Sequence, residues 1–190
     1  MMNITIFGKG NMSQAIQGNF EASGSKINVV TRENDAALGD IVVLAVPYPA
    51  VDDIIARYGE QLAGKIVIDI TNPLNFETFD ELIVPADGSA AQEIQAKLPN
   101  STLVKGFNTN FASTLATGKV ADAAQTTVLL ASDSADSKAK IAEALTGSSL
   151  NIVDAGALKR ARELESIGFL QLTLAAGETI NWNGGFSLHK

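Results

Sequence analysis

Ile4-Thr5-Ile6-Phe7-Gly8-Lys9-Gly10-Asn11-Met12-Ser13 is the stretch from which the fold can be read. Four strand-forming residues run straight into two glycines, and a helical pattern, Met12, Ala15, Ile16 and Phe20, begins at once. A strand, a tight turn and an amphipathic helix in immediate succession form the opening unit of a dinucleotide-binding sheet, and this context gives a bare glycine pattern its meaning. Gly8 suits the tight turn. Gly10 leaves the backbone open to a pyrophosphate, whose charge is met by free N–H groups and by the positive end of the helix. The third position of the usual G-x-G-x-x-G/A pattern is Ser13, small enough for close strand–helix packing.

Outward from this unit, short β-branched runs alternate with helix-length stretches, the pattern of a mostly parallel sheet covered by helices. The runs predict strands over Asn3–Phe7, Asn28–Thr31, Ile41–Val46, Ile66–Ile70, Leu103–Phe107, Val128–Ala131 and Ile152–Asp154. Helices are expected around Val51–Leu62, Ala90–Leu98 and Ala139–Leu145, with Ser132–Lys140 as a solvated loop entering the last of these. Leu158–Gly177 carries apolar residues over more than one stripe, which predicts a helix buried on two sides, against its own sheet and against a small appendage or a second subunit. Trp182 and Asn183-Gly184-Gly185 suggest a hairpin-like flap in the tail. The fold class is therefore α/β, a Rossmann-type sheet over 1–155 with a small C-terminal helical appendage over 156–190.

Composition narrows the chemistry. The 190 residues are 46% hydrophobic, enough for one well-packed core. No apolar run approaches the roughly 20 residues that span a bilayer, so a cytoplasmic protein with no membrane partner is expected. The absence of cysteine removes thiolate catalysis, disulfides and iron–sulfur clusters, and the single histidine, His189, makes a histidine-rich metal site untenable. A formal charge of −7 argues against nucleic acid as a partner.

In an NAD site the second strand generally ends in a carboxylate for the ribose 2'-hydroxyl. Here it ends Val29-Val30-Thr31-Arg32, a hydroxyl and a guanidinium, which favours the 2'-phosphate of NADP(H) unless Arg32 is an ordinary loop arginine. Glu33 is expected to face solvent. Lys9 either reaches the cofactor or extends into water. Val46 and Pro47 end the third strand and are expected to wall the ribose and pyrophosphate; Tyr48 either touches ligand or packs locally.

Two further strand ends, Thr71-Asn72-Pro73 and Phe107-Asn108-Thr109, should reach the same crevice. Asn72, Asn108 and Thr109 either offer neutral hydrogen-bonding groups to a carboxamide or a second ring, or serve as turn and cap residues. No histidine lies near the crevice, and Lys105 belongs to a buried strand or its margin. Hydride exchange with a flavin-like ring asks for no strong base, so a cofactor or flavin reductase is favoured over an alcohol dehydrogenase. Asp154 is read as a cap for the segment that follows, and Arg162 and Glu165, three apart, as a surface pair.

These motifs, together with Val104-Lys105-Gly106 and Asp154-Ala155-Gly156 followed by Leu158, Ala161, Arg162 and Glu165, resemble the NADP-dependent oxidoreductases that reduce NADP with the deazaflavin coenzyme F420. Their cofactor domain is similar to that of membrane ferric reductases of the six-transmembrane epithelial antigen type. The resemblance implies a compact, commonly dimeric domain in which Gly8, Gly10, Asn11 and Met12 carry the diphosphate and Thr31 and Arg32 the 2'-phosphate. Asn72, Pro73, Asn108 and Thr109 would line the hydride-transfer site. The archaeal F420 enzymes carry a histidine at the position of Asn108, so FMN and FAD stand beside F420 as second substrates. Two other readings are an NADP(H)-sensing module without catalysis and a small imine reductase related to pyrroline-carboxylate reductase, whose opening Gly10-Asn11-Met12-Ser13-Gln14-Ala15-Ile16 resembles.

Overall fold

The computed structural model describes residues 2–189. Its elements follow in the order β1 (Asn3–Phe7), α1 (Asn11–Ala22), β2 (Lys26–Val30), β3 (Ile41–Leu44), α2 (Val51–Leu62), β4 (Ile66–Asp69), α3 (Ala90–Lys97), β5 (Thr102–Lys105), α4 (Ala112–Thr117), β6 (Lys119–Val120), β7 (Ala124–Gln125), β8 (Thr127–Ala131), α5 (Ala135–Ala144), β9 (Asn151–Gly156) and α6 (Ala161–Ala176). The main sheet has seven strands ordered β2-β1-β3-β4-β5-β8-β9. Every neighbouring pair in it is parallel except β5 and β8. This is the expected Rossmann-type α/β architecture, with β6 and β7 as a separate two-stranded ribbon.

Parallel strands need cover on both faces. Ile4, Ile6, Val43 and Ile68 point to one apolar cluster with Ile16 and Phe20 of α1 and Ile141 of α5. Phe7, Val42, Leu44 and Val67 point to the other with Tyr58 and Leu62 of α2, Ile94 of α3, and Leu158 and Ala161 at the start of the C-terminal segment. Burial of each large aliphatic or aromatic side chain stabilises this sandwich by about 1.5–3 kcal/mol. The chain leaves β1 to one side for β2 and to the other for β3, so a crevice opens beyond the carboxyl ends of β1 and β3.

At the ends of β4 and β5 the core holds charges. The Lys105 ammonium, with no exposed surface, lies 2.8 Å from Asp69 Oδ2 and 2.9 Å from Glu165 Oε1. It also donates to the Thr71 carbonyl at 2.5 Å. Asp69 Oδ1 accepts from the Thr71 N–H at 2.9 Å, so the chain just beyond β4 is held by both its polar groups. Glu165 accepts from Ala90 N at 2.9 Å and Ala91 N at 3.2 Å, in the first turn of α3, while the Ser89 hydroxyl caps that helix by accepting from Gln92 N. Glu165 is thus drawn inward, and Arg162 pairs with Glu163 at 2.6 Å instead of forming the surface pair expected from spacing.

Several other expectations are corrected. Asp154 does not cap the segment after β9: it takes Gly156 N at 2.7 Å and pairs with Lys138 at 2.5 Å, and Asp133 accepts from Leu158 N in its place. Most of Ser132–Lys140 is helical, because Ser134 caps α5 by accepting from Ser137 N. Only one face of α6 is covered in the single chain, through Leu164, Gly168, Gln171 and Ala175, whereas Ile167 and Leu170 are exposed. The tail makes a turn at Asn181–Gly184 but no strand. No helix among the described residues is long and apolar enough to cross a membrane.

Two predictions follow from the buried charges. Lys105→Met strands two carboxylates in the core and should cost about 3–5 kcal/mol in urea unfolding at neutral pH; a loss below about 1 kcal/mol would mean that the ammonium is not what holds them. Burial, and secondarily the Asp69 charge, push the Glu165 carboxyl above its ordinary value, and Lys105 offsets this only in part. The folded state therefore holds that proton more tightly than the unfolded one. Its contribution is complete below the unfolded carboxylate value of about 4.3 and is lost as pH rises through the higher folded value. The stability of wild type relative to Glu165→Gln should accordingly be greatest near pH 4 and fall toward pH 7; a difference that grows with pH would contradict the assignment.

Candidate functional site

The Gly-rich turn sits at the crevice, and its two glycines do different work. Gly8 has φ +115°, and a Cβ there would come within 2.2 Å of the Ala45 carbonyl oxygen at the end of β3, so the fold itself demands glycine. Gly10 is the N-cap of α1 in extended conformation, and a Cβ there would meet nothing within 4 Å. The first turn of α1 receives no side-chain cap and contains no acidic residue, which leaves its N–H groups and the helix dipole available to an anion. Ser13 is buried and its hydroxyl donates to the Gly8 carbonyl at 2.7 Å, closing the turn against the helix. Asn11 is exposed at the helix start, and Met12 packs partly on the core beneath it.

A cavity of about 290 Å³ opens on one side of this turn. Gly8, Lys9, Thr31, Arg32 and Val46 line it, and so do Ile54, Arg57 and Tyr58 of α2, which sequence reasoning missed. A helix over Val51–Leu62 is legible in the sequence, but which of its turns faces the cavity depends on how α2 crosses the sheet. Tyr58 packs on Phe7 with ring centroids 4.9 Å apart, and the Arg57 guanidinium lies 5.1 Å from the Tyr58 ring centre. The Tyr58 hydroxyl, then the Ala36 N–H and Arg57, hold the Asp35 carboxyl below its ordinary value. Thr31 does not offer a free donor: its hydroxyl donates to Asn34 Oδ1 at 2.8 Å and accepts from Glu33 N at 3.2 Å. Arg32 is exposed at the rim and has no ion-pair partner among the described residues. Glu33 is exposed, as expected, and meets Lys9 at 3.3 Å across the mouth.

On the other side of α1's N-terminus lies a second cavity of about 540 Å³, which shares Val46 as a lining residue with the first. Gly10, Asn11, Met12 and Pro47 border it near the turn, and Asn72 and Asn108 stand at its far end. The two asparagines form a reciprocal pair: Asn72 Nδ2 donates to the Asn108 carbonyl at 2.8 Å, and Asn108 Nδ2 donates to Asn72 Oδ1 at 2.9 Å and to the Leu164 carbonyl at 2.9 Å. Phe107, just before, is fully buried with φ +61°, a strained backbone held by its packing at the point where the site begins. Gly168 of α6 admits the pair, since a Cβ there would lie 2.3 Å from Asn72 Oδ1.

Pro73 and Thr109, expected beside the asparagines, do not line the cavity. Both are buried, and their carbonyls are used in the scaffold, Pro73 accepting from Ile83 N at 2.7 Å and Thr109 from Gln171 Nε2 at 3.2 Å. Their neighbours Thr71 and Asn110 take their place, together with Phe111, Leu172 and Trp182. Trp182 packs on Phe111 with centroids 5.0 Å apart, and its carbonyl accepts from the Ser113 hydroxyl, so the tail lies along the cavity edge. Three buried side-chain oxygens of residues that line this cavity, Thr71 Oγ1, Asn108 Oδ1 and Asn110 Oδ1, have no hydrogen-bond partner among the described residues. Leaving such an atom unsatisfied costs about 1–3 kcal/mol, and a group with two N–H donors, such as a carboxamide, is the kind that would meet these acceptors once a small side-chain shift exposed them.

Residues 27–73 match the protein family described as NADP oxidoreductase coenzyme F420-dependent. The chain is 38% identical over 89 residues to an F420-dependent NADP reductase from Methanocaldococcus jannaschii, covering 44% of this chain and 40% of that one. It resembles the coenzyme F420-dependent NADP oxidoreductases. Over 181 residues it is also 25% identical to metalloreductase STEAP3 of Rattus norvegicus, covering 86% of this chain and 36% of that protein. The matches thus span well under half the length of either relative. In fold, the whole chain superposes on the whole of a protein from Arthrobacter sp. FB24, provisionally assigned as an F420-dependent NADP reductase, with a TM-score of 0.86 at 24% identity. The segment shared with the family contains Thr31, Arg32, Val46, Pro47 and Asn72, residues of both cavities.

The two glycines should separate on substitution. Gly10→Val has room and an extended backbone, so its unfolding free energy should fall by no more than about 1 kcal/mol while NADPH binding, measured by calorimetry, is lost. Gly8→Ala should unfold more easily whether or not ligand is present, by more than about 1 kcal/mol. NADPH bound normally by Gly10→Val would mean that the pyrophosphate path lies elsewhere.

Proposed function

We propose that the protein is an NADP(H)-dependent oxidoreductase that exchanges hydride between NADP(H) and a planar redox ring of the flavin or deazaflavin type, with F420, FMN and FAD as the ring systems to consider. The observation that carries this reading is the arrangement of two neighbouring cavities about an uncapped helix N-terminus, with three partnerless buried oxygens on residues that line the second. Gly8, Gly10 and the first N–H groups of α1 hold the diphosphate, with Asn11 and Met12 beside it. Arg32 takes the 2'-phosphate, with Lys9 and Arg57 in the same cavity adding positive charge. Val46 and Pro47 form the wall between the two ends.

Thr71 Oγ1, Asn108 Oδ1 and Asn110 Oδ1 receive the carboxamide, and Asn72 orients Asn108. NADPH, when bound, supplies a hydride from its nicotinamide ring. Pro73 and Thr109 act through backbone groups that position their neighbours. Residues 156–190 complete the acceptor side of the pocket through Leu172 and Trp182. The exposed Ile167 and Leu170 on α6 seat a second copy of the chain in a homodimer.

Arg32→Ala should weaken NADPH binding about ten- to a hundredfold, the worth of charge-assisted hydrogen bonds to one phosphate, and change NADH affinity less than about twofold. Equal losses for both cofactors would contradict the choice of NADP(H). Stopped-flow absorbance with NADPH and a series of flavin and deazaflavin rings tests the reaction: rapid oxidation by one ring type is expected. NADPH that binds but is oxidised by none would make the protein an NADP(H)-sensing module.

A further inference from the structure

The two cavities that share Val46 as a lining residue differ in charge. Lys9, Arg32, Glu33, Asp53 and Arg57 all line the first, whereas every residue lining the second is uncharged. The one titratable side chain in that second lining is Tyr48, whose hydroxyl donates to the Glu93 carboxylate. Burial, and then that carboxylate, push its phenol well above the ordinary value, so it stays neutral. The remaining surface is largely apolar, from Met12, Ile70, Phe76, Phe111, Leu172 and Trp182. Behind Thr71 the Lys105 ammonium is spent on Asp69, Glu165 and the Thr71 carbonyl and has no exposed surface. An anionic group carried into this cavity would lose water and find no cation, and the overall charge of −7 opposes its approach.

We infer that the ring which exchanges hydride with the nicotinamide enters this cavity uncharged and without an anionic tail. A neutral quinone, or an isoalloxazine or deazaflavin ring lacking its phosphate, has this chemistry; FMN, FAD and F420 with their full tails do not. The inference rests on the hydride-transfer reading given above. Hydride, with its two electrons, adds to the neutral ring as the nicotinamide C4–H bond breaks, and one proton from water completes the two-electron reduction. NADPH, ring and H⁺ thus become NADP⁺ and the doubly reduced ring, with Tyr48 and the asparagines remaining neutral throughout.

Matched pairs isolate the tail: riboflavin against FMN, and menadione against its sulfonate. Each is measured twice, as kcat/KM for NADPH oxidation and as equilibrium binding to the protein saturated with non-reacting tetrahydro-NADPH, whose nicotinamide-derived ring is uncharged. The neutral member of each pair should lead by about tenfold or more at low salt in both measurements, with the gap narrowing as salt screens the field of the protein. Phe76 lines the cavity yet is half exposed, so Phe76→Lys should fold normally and raise the ratio of FMN to riboflavin by about tenfold. Preference for the anionic members, or no binding of either member while NADPH binds, overturns the inference. NADPH affinity is determined separately; its failure to bind would bring down the hydride-transfer reading and this inference together.

Discussion

Removing an ammonium and two carboxylates from water costs several kcal/mol per ion, and the cost is recovered only where every charge is paired and every remaining hydrogen-bonding position is filled. Lys105, Asp69 and Glu165 meet that condition with help from Thr71 and the first turn of α3. The consequence is geometric. The strand ends of β4 and β5, the N-terminus of α3 and the long helix α6 are brought to one point, and the backbone beyond β4 can leave the sheet in only one way. Asn72 therefore emerges where Asn108 can reach it, and Gly168 lets α6 come close enough to receive both. A site that depends on neutral amides for recognition needs this rigidity, because each amide contributes little unless it is held in place.

The crevice divides its work between two kinds of physical chemistry. On the side of Arg32 and Arg57 the groups are exposed, charged and able to meet a phosphate without first being desolvated. On the side of Asn72 and Trp182 they are buried or apolar, and three buried oxygens have no hydrogen-bond partner among the described residues. The uncapped start of α1 lies between these regions and is an anion site of its own. A ligand that satisfies all three must carry charge at one end and in the middle and a neutral amide at the other, which describes a pyridine dinucleotide phosphate.

The sheet was legible because its strands are short, β-branched and bounded by glycine, and all seven predicted runs form strands within a few residues of their expected ends. Gly8-Lys9-Gly10 was legible because a strand runs straight into it and an amphipathic helix straight out of it, although the Ala45 carbonyl that excludes a Cβ at Gly8 lies at the end of another strand. α4 was not: Ala112–Thr117 is short, rich in Ser and Thr, and stabilised by packing against α1 rather than by its own pattern. Glu165 misled because spacing on a helix surface says nothing of a buried lysine on β5 that the fold brings to within 2.9 Å. Thr109 and Pro73 were placed one residue from the side chains that do face the cavity, since a turn after a strand can rotate either neighbour inward. Arg57, Tyr58 and Trp182 reach the site from elements whose approach angle is a tertiary fact.

Trp182, the only tryptophan in the chain, lies at the edge of the second cavity and provides the most direct test of the account. Its emission overlaps the absorption of reduced nicotinamide. Titration with NADPH, with binding followed independently by calorimetry, should quench Trp182 and sensitise nicotinamide fluorescence to saturation at the calorimetric stoichiometry. NADPH that binds without altering the Trp182 emission would place the nicotinamide outside the second cavity and contradict the account at its centre.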